Sequence, residues 1–273
     1  MIKSVCIVGC GWFGLPLARA LTAQGVTVNG SKREQSAADL LAAEGIHGFK
    51  LDLSAAPAVK SQLGTLSTAL NTDCLVVNIP PKLKRDPGSY EKKLQQLFEL
   101  VDEIDYQKIV FVSTTGVYPA ADKVMTEQDA QAHSDASARL LAAETLFSQK
   151  KHCCITRFAG LVGPKRHPGR FLAGRTDLPS PHAPVNIVHL DDCVAAVIKI
   201  IFDPSAAGIY NVCAPKHPTR SAFYCQASID LGLPAPVFTT AQGGGKAISS
   251  QRLMDELHFE YQFNDPLDML DHC

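Results

Sequence analysis

The amino-acid sequence predicts an α/β chain, a doubly wound parallel sheet with a small, interleaved C-terminal lobe. Three observations lead there. An apolar, β-branched run at 5–8 is followed by Gly9, Gly11 and Gly14 in G-x-G-x-x-G spacing, and then by the helical stretch LPLARALTAQG. Apolar runs go on alternating with helix-period segments through the first half, the pattern of a parallel sheet covered on both faces. Beyond about Gly163 that regularity gives way to a stretch rich in Pro, Gly and His, which predicts shorter elements.

The elements follow in order. The first strand occupies 5–8, and Leu15, Leu17, Ala18 and Leu21 share one face of the first helix. Gly25 ends that helix, and 26–28 form the second strand. A helix over 36–43 ends at Gly45, and a third strand over 48–51 brings Asp52 to its end. The run CLVVNI at 74–79 reads as a fully buried strand closed by Pro80 and Pro81. A charged loop containing Pro87-Gly88 leads to an amphipathic helix over 90–104. Strand 108–112, the polar Ser113-Thr114-Thr115-Gly116, helix 136–149 and strand 153–158 complete the regular part. Strands at 185–188 and 209–212, helices over 192–202 and 221–231, and a tail unit at 249–259 make up the remainder.

Composition narrows the classes of partner. The 273 residues are 46% hydrophobic and 19% charged, with a net charge of −1. Such a balance gives no reason to expect nucleic acid or a membrane as a partner. The longest apolar helix candidate, 193–202, is too short to span a bilayer and carries Lys199. None of the nine cysteines is in C-x-x-C spacing. Cys6, Cys74, Cys153, Cys154, Cys193 and Cys213 fall inside apolar candidates, where a free thiol acts as a small hydrophobe. This argues against a disulfide framework or a metal site and fits a reducing compartment. Lys3, the first apolar stretch and Ala18-Arg19-Ala20 mimic a signal peptide, but three glycines and Pro16 interrupt the stretch. The expected location is the cytoplasm.

Strand, glycine loop, helix and second strand together form a dinucleotide-binding signature. The first glycine allows the tight turn, the second admits the pyrophosphate and the third lets helix pack on strand. This makes the sheet Rossmann-type, with 1–163 as the NAD(P)-binding domain and 164–273 as a substrate lobe interleaved with its late elements. A carboxylate at the end of the second strand would bond the ribose 2′-OH of NAD, whereas basic residues accommodate the 2′-phosphate of NADP. Here the chain reads Asn29-Gly30-Ser31-Lys32-Arg33, with no acid before Glu34. One charge-assisted hydrogen bond is worth about a ten- to hundredfold preference. NADP is therefore expected, with Ser31, Lys32 and Arg33 at the phosphate and NAD as the alternative.

Several further segments point the same way: Asp52-Leu53, VFVSTTGVYP from Val110, RFAGLVGP from Arg157, NIVHLDD from Asn186, GIYNVCAP from Gly208 and the tail KAISSQRLMDELHFEY. In this order they resemble the extended short-chain dehydrogenase/reductase family, the NAD-dependent epimerase/dehydratases that act on nucleotide sugars. The details resemble an atypical bacterial branch of the YeeZ type. The resemblance implies a pyrophosphate loop of Gly9, Gly11, Trp12, Phe13 and Gly14, with Asp52 and Leu53 flanking the adenine. It further implies Asn78 and Pro80 beneath the cofactor, and Ala159, Gly160, Leu161 and Val162 near the nicotinamide. Thr114 matches the family's catalytic Ser/Thr, and His189 and Asp191 belong to a segment bordering the substrate. Family members often dimerise through two packed helices, which leaves a homodimer open here.

One departure bears on chemistry. The family uses a Tyr-x-x-x-Lys pair, in which Lys lowers the pKa of a proton-exchanging Tyr. The corresponding stretch here puts Asp135 at the Tyr position and Arg139 at the Lys position. Arg139 can still hold a ribose. Asp135, beside a cation and with a reference pKa of about 3.9, is a poor proton relay near neutrality. Tyr118, His167, His182 and His189 are the other proton carriers to consider. The loop GPKRHPGRF offers Arg166 and Arg170 for a phosphate or carboxylate on a small anionic or nucleotide-sugar-like substrate. The overlapping GRFLAGRT fails as a phosphate loop for ATP, because Arg175 replaces the Lys and Pro179 and Pro181 follow. Two functions follow: an oxidoreductase or epimerase-like enzyme with a non-standard proton donor, or a catalytically silent NADP-binding sensor.

Overall fold

The computed structural model describes residues 1–54, 63–81, 83, 88–240 and 243–273; the loop expected around Pro87 lies largely outside the described residues. The chain opens with β1 (Ser4–Val8), α1 (Gly14–Ala23), β2 (Thr27–Lys32), α2 (Gln35–Asp39) with a 3-10 turn (Leu40–Glu44), and β3 (His47–Lys50). Next come α3 (Leu63–Leu70), β4 (Cys74–Val77), α4 (Ser89–Leu100), β5 (Lys108–Thr114), β6 (Val124–Met125), α5 (Asp135–Ser148) and β7 (Cys153–Phe158). Then follow β8 (Gly160–Val162), α6 (Gly169–Leu172), β9 (Ile187–His189), α7 (Leu190–Phe202) and β10 (Gly208–Val212). The last elements are α8 (Arg220–Asp230), β11 (Ala247–Ile248), α9 (Gln251–Leu257) and a 3-10 segment (Pro266–His272).

Seven strands form the central parallel sheet in the order β10-β7-β5-β4-β1-β2-β3. The expected fold class is therefore the observed one. The order reverses between β1 and β4, and in open α/β sheets ligands bind in the crevice at such a reversal. β4 is buried throughout and β1 nearly so, as expected for strands covered on both faces. In α1, Gly14, Leu17, Ala18 and Leu21 are buried, while Leu15 is only half-buried. Gly25 adopts φ +81 and donates to Thr22, and Val26 donates to Leu21, closing the helix end.

Two elements run longer than the pattern suggested. β2 reaches Lys32 because Asn29 to Lys32 pair in register with β3. Gly30 fits there because any Cβ would meet the Cys10 sulfur at 2.7 Å. β5 extends through Thr114, which turns the polar residues after the apolar run into a strand end. Helix α3 is not among the elements expected: Leu63, Leu66 and Leu70 recur at helical spacing, but the Gly, Ser and Thr between them are weak helix formers.

The chain divides into two compact units. The first comprises Met1–Ser113, Ser134–Thr156 and Val197–Ile209, and the second comprises Thr114–His133, Arg157–Ala196 and Tyr210–Cys273. In the first unit, Phe111 stacks on Phe147 at 4.9 Å and Phe98 meets Phe147 edge-on at 5.8 Å. Buried Lys108 donates to the carbonyls of Asp203 and Ala206, at 3.2 and 2.7 Å. Among the described residues, no helix is long and apolar enough to cross a membrane.

The second unit builds its own core from Val162, Val185, Ile187, Phe223, Phe263 and Met269, among others. Two short parallel pairs, β8 with β9 and β6 with β11, join segments distant in sequence. Thr219 caps α8 by accepting from the Ala222 N–H. Buried Asp192 accepts from the backbone N–H groups of Gln262 at 2.7 Å and Phe263 at 3.2 Å, pinning the C-terminal segment. Burial pushes its carboxyl pKa up, and these two bonds counter the shift. Replacing Asp192 by Ala strands backbone donors beside an apolar core, at a cost of about 2–3 kcal/mol. The expected fall in Tm is about 4–10 °C; a melting curve matching that of the unsubstituted protein would contradict this account.

Candidate functional site

In the first unit, the glycine loop lies at the reversal between β1 and β4. Gly9 has φ +107, a conformation that favours glycine. Its N–H donates to the Ser31 hydroxyl at 2.9 Å, and its carbonyl accepts from the Asn78 side-chain amide at 2.9 Å. Any Cβ on Gly9 would lie 2.2 Å from the Asn78 carbonyl, and one on Gly14 would lie 2.3 Å from the Gly9 carbonyl. A Cβ on Gly11, by contrast, would meet nothing within 4 Å. Two glycines are thus required by packing and one leaves an open approach to the backbone. Phe13 is the N-cap of α1, and the first turn carries neither a side-chain cap nor an acid. That helix end suits an anion, so the loop fits a dinucleotide pyrophosphate. Trp12 is half-buried and Phe13 buried.

Of the residues expected at the adenosine end, Ser31 is buried and its hydroxyl is occupied by Gly9. It braces the loop instead of presenting itself at the surface. Lys32 is half-buried and Arg33 exposed. Asp52 accepts from the Ser54 N–H at 3.0 Å, Leu53 is buried and Pro80 is exposed.

Asp135 is exposed at the first turn of α5, next to the Ser134 cap. Arg139 is ion-paired with Glu91 at 2.6 Å, so a carboxylate already faces the cation expected at the ribose.

In the second unit, a cavity of about 350 Å³ gathers segments from four of the sequence motifs. Thr115-Gly116, Gly160 and Asn186-Ile187 contribute to its lining. Val162, Phe171, Pro184 and Val185 are among its apolar lining residues, and Arg220, Tyr224 and Lys246 are among its polar ones. Thr114 directly precedes this lining and accepts from the Gly116 N–H at 3.3 Å. Ala159 is buried, and Leu161 is half-buried between lining residues Gly160 and Val162.

Arg166, Arg170 and His189 do not line this cavity. Both arginines are exposed. His189 is buried, packs on Phe263 at 4.5 Å between ring centroids, accepts from the Asp191 N–H and bonds the His272 carbonyl at 3.1 Å. Its ring fastens the C-terminal segment. His182 is exposed, and His167 accepts from the Gly169 N–H at 3.0 Å. Tyr118 is sealed: its hydroxyl donates to Asn211 at 2.6 Å and accepts from buried Arg157 at 2.9 Å. Burial raises its pKa, with Arg157 opposing.

The residues that sequence reasoning missed are Arg220, Tyr224 and Lys246. One signal was available for Arg220, a cation at the first position of a helix, where the macrodipole disfavours it by about 0.3–1 kcal/mol. Lys246 followed three glycines at the head of a recognised tail motif.

The chain is 38% identical over 276 residues to protein YeeZ of Escherichia coli (strain K12), a match covering 98% of this chain and 99% of the relative. Among solved structures, UDP-glucuronic acid 4-epimerase from Bacillus cereus in complex with NAD has a TM-score of 0.77 at 16% identity, covering 98% of this chain and 96% of that one. A UDP-glucose 4-epimerase has a TM-score of 0.79 at 16% identity, with 98% and 95% covered. No family model matches the chain. Near-complete coverage at 38% identity makes this chain a member of the YeeZ family, built on the Rossmann-type fold of the NAD-dependent epimerases and dehydratases.

Proposed function

We propose that the protein is an NAD(P)-dependent oxidoreductase or epimerase-like enzyme acting on a small anionic or nucleotide-sugar-like substrate, with NADP preferred to NAD. The observation that carries this reading is the glycine loop, in which Gly9 and Gly14 are fixed by backbone packing while Gly11 stays open. A bound nicotinamide dinucleotide would supply hydride-transfer capacity. Gly9, Gly11 and Gly14 would hold its pyrophosphate, Lys32 and Arg33 its 2′-phosphate, and Asp52 and Leu53 its adenine. Thr114 orients the reacting oxygen, the cavity of the second unit receives the substrate, and Arg139 takes the place of the family's Lys.

A second reading has its own support. Arg139 is neutralised by Glu91, and Tyr118 is sealed from solvent. These observations favour a protein that binds NADP to report cofactor state and turns over no substrate.

Titration of the purified protein with NADPH, NADP, NADH and NAD tests both. Micromolar binding that prefers the phosphorylated pair is expected. Turnover on a panel of sugar nucleotides and organic acids then selects the enzyme, and tight binding without turnover selects the sensor. Failure to bind any of the four refutes both.

The loop allows a sharper test. Gly11→Ala should leave Tm nearly unchanged yet weaken cofactor binding about tenfold or more, as a misplaced methyl does in a close-fitting site. Gly9→Ala should instead destabilise the fold by about 1–3 kcal/mol or more, through backbone strain and overlap with Asn78. Equal effects of the two substitutions on stability and binding would count against the assignment.

A further inference from the structure

We propose that Arg220, Lys246 and the Tyr224 hydroxyl form an oxyanion site in the second unit's cavity, which takes the phosphate or carboxylate of a substrate of monosaccharide size. The assignment rests on reading this cavity as the substrate site, and it names the chemistry that recognises the substrate. Both cations line the cavity, and among the described residues no acidic one does. Their hydrogen-bond partners are neutral: Arg220 donates to the Pro179 carbonyl at 2.6 Å, and the Lys246 ammonium donates to the Tyr118 carbonyl. Neither belongs to an ion pair among the described residues.

Each cation also occupies a position that is costly without an anion. Arg220 stands at the first position of α8, against the helix dipole. Lys246 is half-buried, and desolvation pulls its pKa down. An oxyanion placed between such groups relieves both costs through charge-assisted hydrogen bonds.

The two groups are held by the framework around them. The Asn186 side chain donates to the Lys246 carbonyl at 2.7 Å and accepts from the Ile248 N–H at 2.7 Å, fixing the backbone that carries Lys246. Arg220 donates its backbone N–H to Ala183 and lies over the Phe238 ring, 5.6 Å from its centroid. Tyr224 lies within the electrostatic reach of Arg220, which lowers a hydroxyl pKa that burial raises. At about 30 Å³ per water, 350 Å³ is the space of roughly a dozen waters. That suits a sugar phosphate or sugar acid whose less polar face lies on Val162, Phe171 and Val185.

The test is calorimetric titration of the full chain with glucose 1-phosphate and, separately, glucuronate, each with and without saturating NADP. NADP occupies any phosphate site at the glycine loop and so isolates the cavity. At least one probe should bind, and which one it is distinguishes phosphate from carboxylate. Arg220→Gln and Lys246→Gln should each weaken that binding about tenfold or more. Arg220→Lys and Lys246→Arg should retain most of it, and NADP affinity should stay within about twofold throughout, which also controls for misfolding. Binding of neither probe at about 10 mM, or Gln variants that bind like the unsubstituted chain, overturns the proposal. Probe binding that depends on the two cations in a protein that fails to bind NADP would sustain the oxyanion site and refute the NAD(P) reading.

Discussion

At Gly9 the backbone is gripped from two sides. The Ser31 hydroxyl takes its N–H and the Asn78 amide gives to its carbonyl, both at 2.9 Å. Ser31 belongs to β2 and Asn78 follows β4, so this one residue ties together the ends of three neighbouring strands. The grip holds Gly9 at φ +107 and sets where α1 begins. Gly14 then packs so closely on the Gly9 carbonyl that helix and strand leave no room for a methyl between them. Gly11 is left as the one glycine of the three with open space, and the dinucleotide reading of the first unit depends on that difference.

The second unit handles its polar groups in two ways. Arg157, Tyr118, Asn211 and Glu127 are all buried and satisfy one another. Arg157 donates to the Tyr118 hydroxyl and the Glu127 carbonyl, and the Asn211 N–H donates to the Glu127 carboxylate at 2.9 Å. A buried network of this kind is stable because each member has its partner. Arg220 and Lys246 differ, since they line a cavity and their side-chain hydrogen bonds among the described residues go to carbonyls. The closed network serves the fold, and the two cations at the cavity carry the proposed oxyanion site.

Asp135 and Arg139, the two positions expected to replace a Tyr-x-x-x-Lys pair, both have partners or roles within the first unit. Ser134 and Ser137 form a reciprocal cap, so Asp135 enters α5 as a first-turn acid, favourable to the helix dipole. One turn further on, Arg139 pairs with Glu91 of α4. Both residues therefore have roles in helix stability and surface charge that need no substrate.

How much was legible in sequence follows from the range of each cause. The strands, the helices and the glycine loop depend on local periodicity and on φ > 0 at a single glycine, and these are written in adjacent residues. Membership of the doubly wound class followed from them. The length of β2 depended on its pairing with β3, and local propensity was silent there. The same holds for the side chains. Ser31 was legible as a polar residue at a strand end, and that its hydroxyl accepts from Gly9 is visible only in the fold. His189 stood out by its motif, and its packing on Phe263 became visible only in the fold. Arg220 and Lys246, 26 residues apart in sequence, became a pair only because the fold lined one cavity with both. The sequence by itself determined the sheet and its glycine loop, since both rest on short-range stereochemistry. Only the tertiary structure decided which polar side chains are used up inside and which remain at a cavity, because that depends on which distant partners satisfy them.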